Sequence, residues 1–237
     1  MSVTKKSICY ILLLISGSAH CQVTDLSFGV NYGGFNMNEV RRLQNQIKSQ
    51  ISLPVKEISS FPPFVGYEGK VTVHFSRLRI GMIGGVNSTG SRLSYTDYSG
   101  SLEYNQFAKI THIGFVTEFK LKNDSSSTVQ PYFSIQLEKG WTRFDIQEKI
   151  VVNGASLVNE NPVFRSRHTT IQPGFGIRKS LSHVLFISMH ASYLIDSATF
   201  LEELGEKDIK LLDQNFQPVS VNWSGFRVGI TFGFNFN

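Results

Sequence analysis

Between Ser224 and Asn237 the chain alternates strictly. Phe226, Val228, Ile230, Phe232, Phe234 and Phe236 take every second position, with Arg227, Gly229, Thr231, Gly233 and Asn235 between them. Successive side chains of a strand point to opposite faces, so the stretch predicts a strand with one aromatic, apolar face and one polar, glycine-rich face. The same period recurs upstream in seven segments. They centre on Leu26–Tyr32, Val65–Phe75, Leu78–Val86, Ile113–Leu121, Val129–Leu137, Ile171–Ile177 and Leu185–Tyr193. Together these make eight predicted strands.

The connections predict how the strands are arranged. About 30 residues separate the first two strands, and there Val40, Leu43, Ile47 and Ile51 fall at helical spacing, with Asn38 as the expected N-cap. The second and third strands turn tightly around Ser76. Residues 87–105 read as a long loop, 122–128 as a short polar turn, 150–168 as a second long connection and 179–183 as another short one. Residues 200–217 read as a long connection with a short helix. Long and short connections therefore alternate. In an up-and-down arrangement this puts the four long ones at one end, and the three short ones at the other with both termini, as in transmembrane barrels.

The expected fold is all-β: an eight-stranded antiparallel up-and-down transmembrane β-barrel with helical segments in the long extracellular loops. A soluble lipocalin-like barrel also alternates, but with its apolar face inside. Three features favour the membrane form. The polar face interleaves glycines with long charged residues, which suits the narrow interior of eight strands. Tyr32, Tyr67, Tyr104, Tyr193 and Trp223 fall near strand ends, as interfacial aromatics do. The asymmetry of the connections is stronger than a lipocalin needs.

The N-terminus bears on the compartment. Lys5 and Lys6 precede the apolar run Ile8–Ile15 and the segment Ser16–Gln22 of small and polar residues. This is the pattern of a secretory signal peptide, too short to span a bilayer, and it predicts residues 1–21 as signal and 22–237 as the barrel domain. Acylation of Cys21 is the alternative. Removal of Lys5 and Lys6 takes 23 basic residues to 21 against 18 acidic ones, a net charge of +3. The charges are scattered, with no Lys/Arg run that suggests nucleic acid. With Cys9 and Cys21 both in the leader, no disulfide framework or cysteine metal site is expected.

With its leader, its eight strands, SFGVNYGG at the start and GITFGFNFN at the end, the chain resembles the PorT-like outer-membrane β-barrel family of Gram-negative bacteria over roughly residues 22–237. The resemblance implies an outer-membrane location and a secretion-accessory role. It also implies that the aromatic last strand is read by the outer-membrane insertion machinery, although Phe236 is followed by Asn237 rather than ending the chain.

Alternation places Phe226, Val228, Ile230, Phe232, Phe234 and Phe236 against lipid. It places Glu68, Lys70, Arg79, Glu118, Glu138, Arg178 and Arg227 inside, with Arg77 and Lys120 as further candidates. Buried charges must be paired, so the expected arrangement is a plug of ion pairs rather than a conducting path. His190 and Ser192, with Glu202 and Glu203 further on, give a weak signal for a lipid A-modifying hydrolase, weak because alternation turns His190 and Ser192 inward. His74 and His112 are expected to join the polar network. No catalytic residue, cofactor or metal site is predicted. The helical segment 38–51 is expected to cover the barrel mouth, or to offer Arg41, Arg42 and Lys48 to a partner or a membrane surface. The overall expectation is an integral outer-membrane barrel with a non-catalytic structural, adhesion or secretion-accessory role. Its partners are membrane lipid, the insertion machinery, and a secretion complex or surface partner met through the loops. The alternatives are the hydrolase, a narrow channel and a soluble periplasmic binding barrel.

Overall fold

The computed structural model describes residues 24–121, 129–153 and 155–236, so the expected signal peptide and Cys21 lie outside the described residues. The chain is overwhelmingly antiparallel β. Eight long strands carry it: β1 (Thr24–Gly33), β3 (Phe64–Phe75), β4 (Leu78–Thr96), β5 (Gly100–Lys120), β6 (Val129–Val152), β8 (Val163–Ser180), β9 (Leu185–Ala198) and β12 (Gly225–Phe236). Each pairs with two neighbours, in the order β1–β3–β4–β5–β6–β8–β9–β12, and β12 returns to β1. The pairing is thus a cycle, which leaves none of the eight with two free edges. At the seam, Thr24 lies opposite Phe236 and Gly33 opposite Arg227.

Four short strands, β2 (Lys56–Ser60), β7 (Ala155–Glu160), β10 (Glu202–Glu203) and β11 (Glu206–Lys210), extend the sheet beside the long connections. The described turns at the other end are short. Phe75 pairs with Leu78 across a two-residue turn in which Ser76 has φ 54°.

Three expectations about the long connections need correction. Residues 150–168 are mostly strand: β6 runs to Val152, β7 pairs back on it, and β8 already starts at Val163. Residues 87–105 are not a loop: β4 and β5 stay paired from Leu78–Phe119 up to Thr96–Ser101, and only Asp97–Ser99 turn. Residues 200–217 hold no helix. Gly205, at φ +110°, turns β10 back into β11, and β10 pairs with Phe164 and Arg165 on β8. The open edge of β8 offers backbone partners that outweigh a weak local helical spacing. The first long connection does hold the expected helix, α1 (Asn38–Gln50). Its N-cap is Met37 rather than Asn38, with no side-chain cap. No helix among the described residues is long and apolar enough to cross a membrane.

The side chains divide the ring into two zones. Over the part nearest the short turns, apolar residues face out and polar ones face in. Toward the long connections the relation inverts. On β5 the inward residues include Glu118 and His112 and then Ile110, Ala108, Tyr104 and Leu102, with Gln106 buried among them, while the outward ones change from Phe119, Phe115 and Ile113 to Lys109, Asn105 and Glu103, with Phe107 the apolar exception. The phase of the strand is constant; the polarity of its two faces swaps. The clustered apolar core therefore sits at the long-connection end, while Ile83, Val116, Tyr132 and Phe186 are buried singly among the polar residues of the other zone. In the core Leu93, Leu102, Phe144 and Phe164 meet Met37, Val40 and Leu43 of the α1 segment and Val219, Val221 and Trp223 of the last crossover.

Candidate functional site

The interior of the ring is the first candidate. All seven residues expected there are buried: Glu68, Lys70, Arg79, Glu118, Glu138, Arg178 and Arg227. Five of them form one network. Glu118 is its centre: its carboxylate accepts from Arg79 Nη1 at 3.2 Å and Arg178 Nη2 at 3.3 Å, and lies 3.6 Å from Lys70 Nζ. Lys70 also lies 3.6 Å from Glu68. Arg79 further donates to Gln130 at 2.9 Å, and Arg178 stacks on Phe186 with its guanidinium 3.9 Å from the ring centre. The other two stand apart. Glu138 pairs with His112 at 2.8 Å, and Arg227 donates to Gln172 at 3.5 Å and lies over Phe35. Burial of these ions is tolerable only because partners surround nearly all of them.

The sequence reading missed Asp25. Its carboxylate, 1% exposed, accepts from Arg178 and lies 2.6 Å from His74 Nε2, which joins the first strand to the network. Arg77 does not belong inside: it is exposed in the β3–β4 turn. Lys120 is half-buried at the short-turn mouth, where a cavity of about 190 Å³ is lined by His74, Arg79, Lys120, Gln130, Arg178 and His183.

The inward glycines serve this filling directly. Gly85, Gly176, Gly229 and Gly233 lie opposite His112, Tyr132, His190 and Phe186, and each partner's ring occupies the space that a Cβ would need. Narrow walls beside bulky ones let eight strands close around side chains of this length.

The hydrolase residues do not meet. His190 and Ser192 are buried inside, His190 facing Glu68 at 3.9 Å and Ser192 accepting from Gln172 at 3.0 Å. Glu202 pairs with Arg165, eleven residues along β8 from Gly176, the partner of His190. A different trio does meet. Ser166 Oγ lies 2.8 Å from His168 Nε2, and His168 Nδ1 lies 2.9 Å from Asp196 Oδ2. The order is that of a proton relay, but all three side chains are buried, and Asp196 Oδ2 also accepts the Trp223 backbone N–H at 2.9 Å. This trio locks the last crossover onto the ring wall. Nothing in sequence spacing signals it, since Asp196 stands 28 residues from His168. Among the described residues, no three His, Cys, Asp or Glu are placed to hold a metal.

Helix α1 lies over the long-connection end. The three cations expected to meet a partner are engaged within the chain. Arg41 donates to the Phe61 carbonyl at 2.9 Å, Arg42 lies 3.2 Å from Asp213, and Lys48 lies 3.2 Å from Glu57. Asp213 also accepts the N–H groups of Gln217 and Asn215, and with Arg42 these hold its carboxyl below the ordinary carboxylate value. Burial pushes the Tyr104 phenol up to about 12 in the apolar core nearby.

The outer surface is the second candidate. The expected lipid-facing residues of β12 are all exposed, Phe232 at 59% and Phe226 at 58%. Around the ring Phe28, Val71, Met82, Phe115, Leu137, Phe175 and Met189 are exposed likewise. Such a continuous apolar girdle far exceeds the patches that soluble monomers leave in water. On its long-connection side stand Tyr32, Tyr67, Trp141 and Tyr193, all about half exposed. Tyr104 and Trp223, expected among these rim aromatics, are buried in the apolar core instead, because the wall at their level has already inverted.

No protein-family model matches the chain, and no curated protein matches it. Solved structures align loosely. Ail, the attachment invasion locus protein of Yersinia pestis, is 13% identical, with a TM-score of 0.38, over 92% of this chain and 100% of that one. The outer membrane protein OprG from Pseudomonas aeruginosa is 10% identical, with a TM-score of 0.44, over 91% and 96%. Neisserial surface protein A is 10% identical, with a TM-score of 0.32, over 88% and 95%. At such scores the functional reading rests on this chain's own strand pairing and surface.

Proposed function

We propose that this protein is an integral outer-membrane β-barrel with a non-catalytic role, structural, adhesive or accessory to secretion. The observation that carries the proposal is the inverted packing of the ring: a charged, ion-paired interior behind an unbroken apolar exterior. In water the exterior would be strongly unfavourable, and in hydrocarbon it is the only surface that a closed ring can offer. Outward apolar runs of about seven residues on β1 and β8 and about nine to eleven on the other strands are close to the span that the hydrocarbon thickness asks of a tilted strand. The secretion-accessory option comes from the PorT-like resemblance of the sequence, and the adhesive option from the tall β4–β5 and β6–β7 extensions beyond the apolar band.

Gel mobility of the membrane fraction, unboiled against boiled, tests the proposal. A closed membrane barrel keeps its fold in SDS until heated, so the expected result is a band that shifts on boiling. Recovery of unshifted protein in the soluble periplasmic fraction would overturn it.

A further inference from the structure

Just above the apolar band, the outer wall of β5, β6 and β8 carries a concentration of positive charge. Lys109 pairs with Arg143, and Arg143 with Arg165, so three cations stand side by side across three adjacent strands. One register step closer to the band, Trp141 lies between Thr111 and Arg167; one step further, Lys139 pairs with Ile113 and Thr169. All five cations and Trp141 are exposed on the outer face. The acidic neighbours are Asp145, which takes Arg143 at 2.8 Å, and Glu202, opposite Arg165. Among the described residues, no ion pair involves Lys109, Lys139 or Arg167.

Like charges directly opposite one another destabilise a sheet. Asp145 and Glu202 offset only part of this charge, leaving Lys109, Lys139 and Arg167 without an acidic partner among the described residues, and a local rule broken with incomplete internal compensation points to a ligand. The position identifies the ligand. Leu137 and Ile171, paired with each other, lie immediately below Lys139 and Thr169 in the lipid-facing band. The row therefore stands at head-group height. Arg143, Arg165 and Arg167 also line a hollow of about 840 Å³ on this wall, shared with Trp141, Thr199 and Glu202. Guanidinium groups bind phosphate through paired, charge-assisted hydrogen bonds, and an indole beside them suits the interface.

We infer that the Lys109–Arg143–Arg165 row and the adjoining Arg167 bind the phosphate groups of an anionic lipid head group. The lipid lies in the leaflet at the long-connection end, with its acyl chains on the apolar band below. The inference rests on the membrane reading above and adds a lipid preference confined to one side of the ring.

The test uses the full chain reconstituted in phosphatidylcholine vesicles, with bisphosphorylated or dephosphorylated lipid A as probe. Retained lipid is counted by native mass spectrometry. Wild-type protein should retain the bisphosphorylated form and not the dephosphorylated one. The combined variant Lys109→Gln, Arg143→Gln, Arg165→Gln should lower retention by about tenfold or more. Lys179→Gln, at the opposite rim of β8, should leave it unchanged. Equal retention of the two lipids by wild-type protein overturns the inference, whatever the variant does. So does competition by inorganic phosphate as strong as by the lipid, which would mark a site for a free anion. Protein that fails to insert, with no mobility shift on boiling, refutes the membrane reading itself. Protein that inserts yet shows no phosphate preference refutes only the lipid site.

Discussion

Ile230 lies near the middle of β12, faces out, and is flanked by Met189 and Val30 on the neighbouring strands. Replacing it with lysine puts a charge in hydrocarbon and should cost about 2–4 kcal/mol near the midplane. Equilibrium unfolding in urea from lipid vesicles measures this, and an unchanged midpoint would contradict a lipid-facing Ile230. Inside the ring the sharpest test is Glu118→Gln. It removes the anion shared by Lys70, Arg79 and Arg178, and breaking a buried pair this way costs about 3–5 kcal/mol. The same titration reads it, and a loss well below that range would mean that Asp25 and Glu68 suffice to hold the three cations. Alternation made these residues legible, since period two assigns every charge on a strand to one face. It was silent on which charges meet. Asp25 joins Arg178 from 153 residues away, and Ser166, His168 and Asp196 come together only through the pairing of β8 with β9.

Helix α1 and the last crossover behave as one element. Met37, Val40 and Leu43 bury into the apolar core, and Arg42 and Glu39 reach Asp213 and the Ser220 N–H of the crossover. The depressed Asp213 carboxyl fixes the sign of the acid response. A group whose folded pKa is lowered stabilises above its ordinary value, here 3.8, and loses that contribution as pH falls through its folded value. Amide exchange at Asn215 and Gln217 should therefore quicken as pH drops below about 4, after correction for intrinsic rates, while exchange in β12 stays slow. Asp213→Asn should show the quick exchange already at neutral pH; exchange as slow as wild type would mean that the carboxylate does not hold the turn. The helix was legible from its apolar spacing. The β10–β11 hairpin was not, because its fate is decided by the free edge of β8. The β4–β5 extension reads as a loop because its outward residues, among them Arg92, Asn105 and Glu103, are polar, whereas the inward Leu93, Leu102 and Tyr104 keep the strand phase.

For the molecule as a whole, the two stacked cores predict its behaviour as a pore. Ion pairs fill the band, the apolar core closes one end with Trp223 wholly buried, and eight strands leave little bore. Planar bilayers should therefore show no steady conductance, and reproducible unitary steps would mean that the interior rearranges into a water-filled path. Sequence alternation conveyed the ring but not the inversion along it, since one phase serves both zones and only the contact of β4–β6 with the α1 segment and the crossover turns the upper wall apolar within. The seam has a consequence in time. Thr24 meets Phe236 and Gly33 meets Arg227, so the earliest strand waits for the latest, with some 200 residues of chain to be brought into a loop before either gains its partner. Until that moment both carry an open edge beside greasy side chains. The last strand is thus a clasp as well as a wall: the beginning of the chain keeps one edge unpartnered until its end arrives.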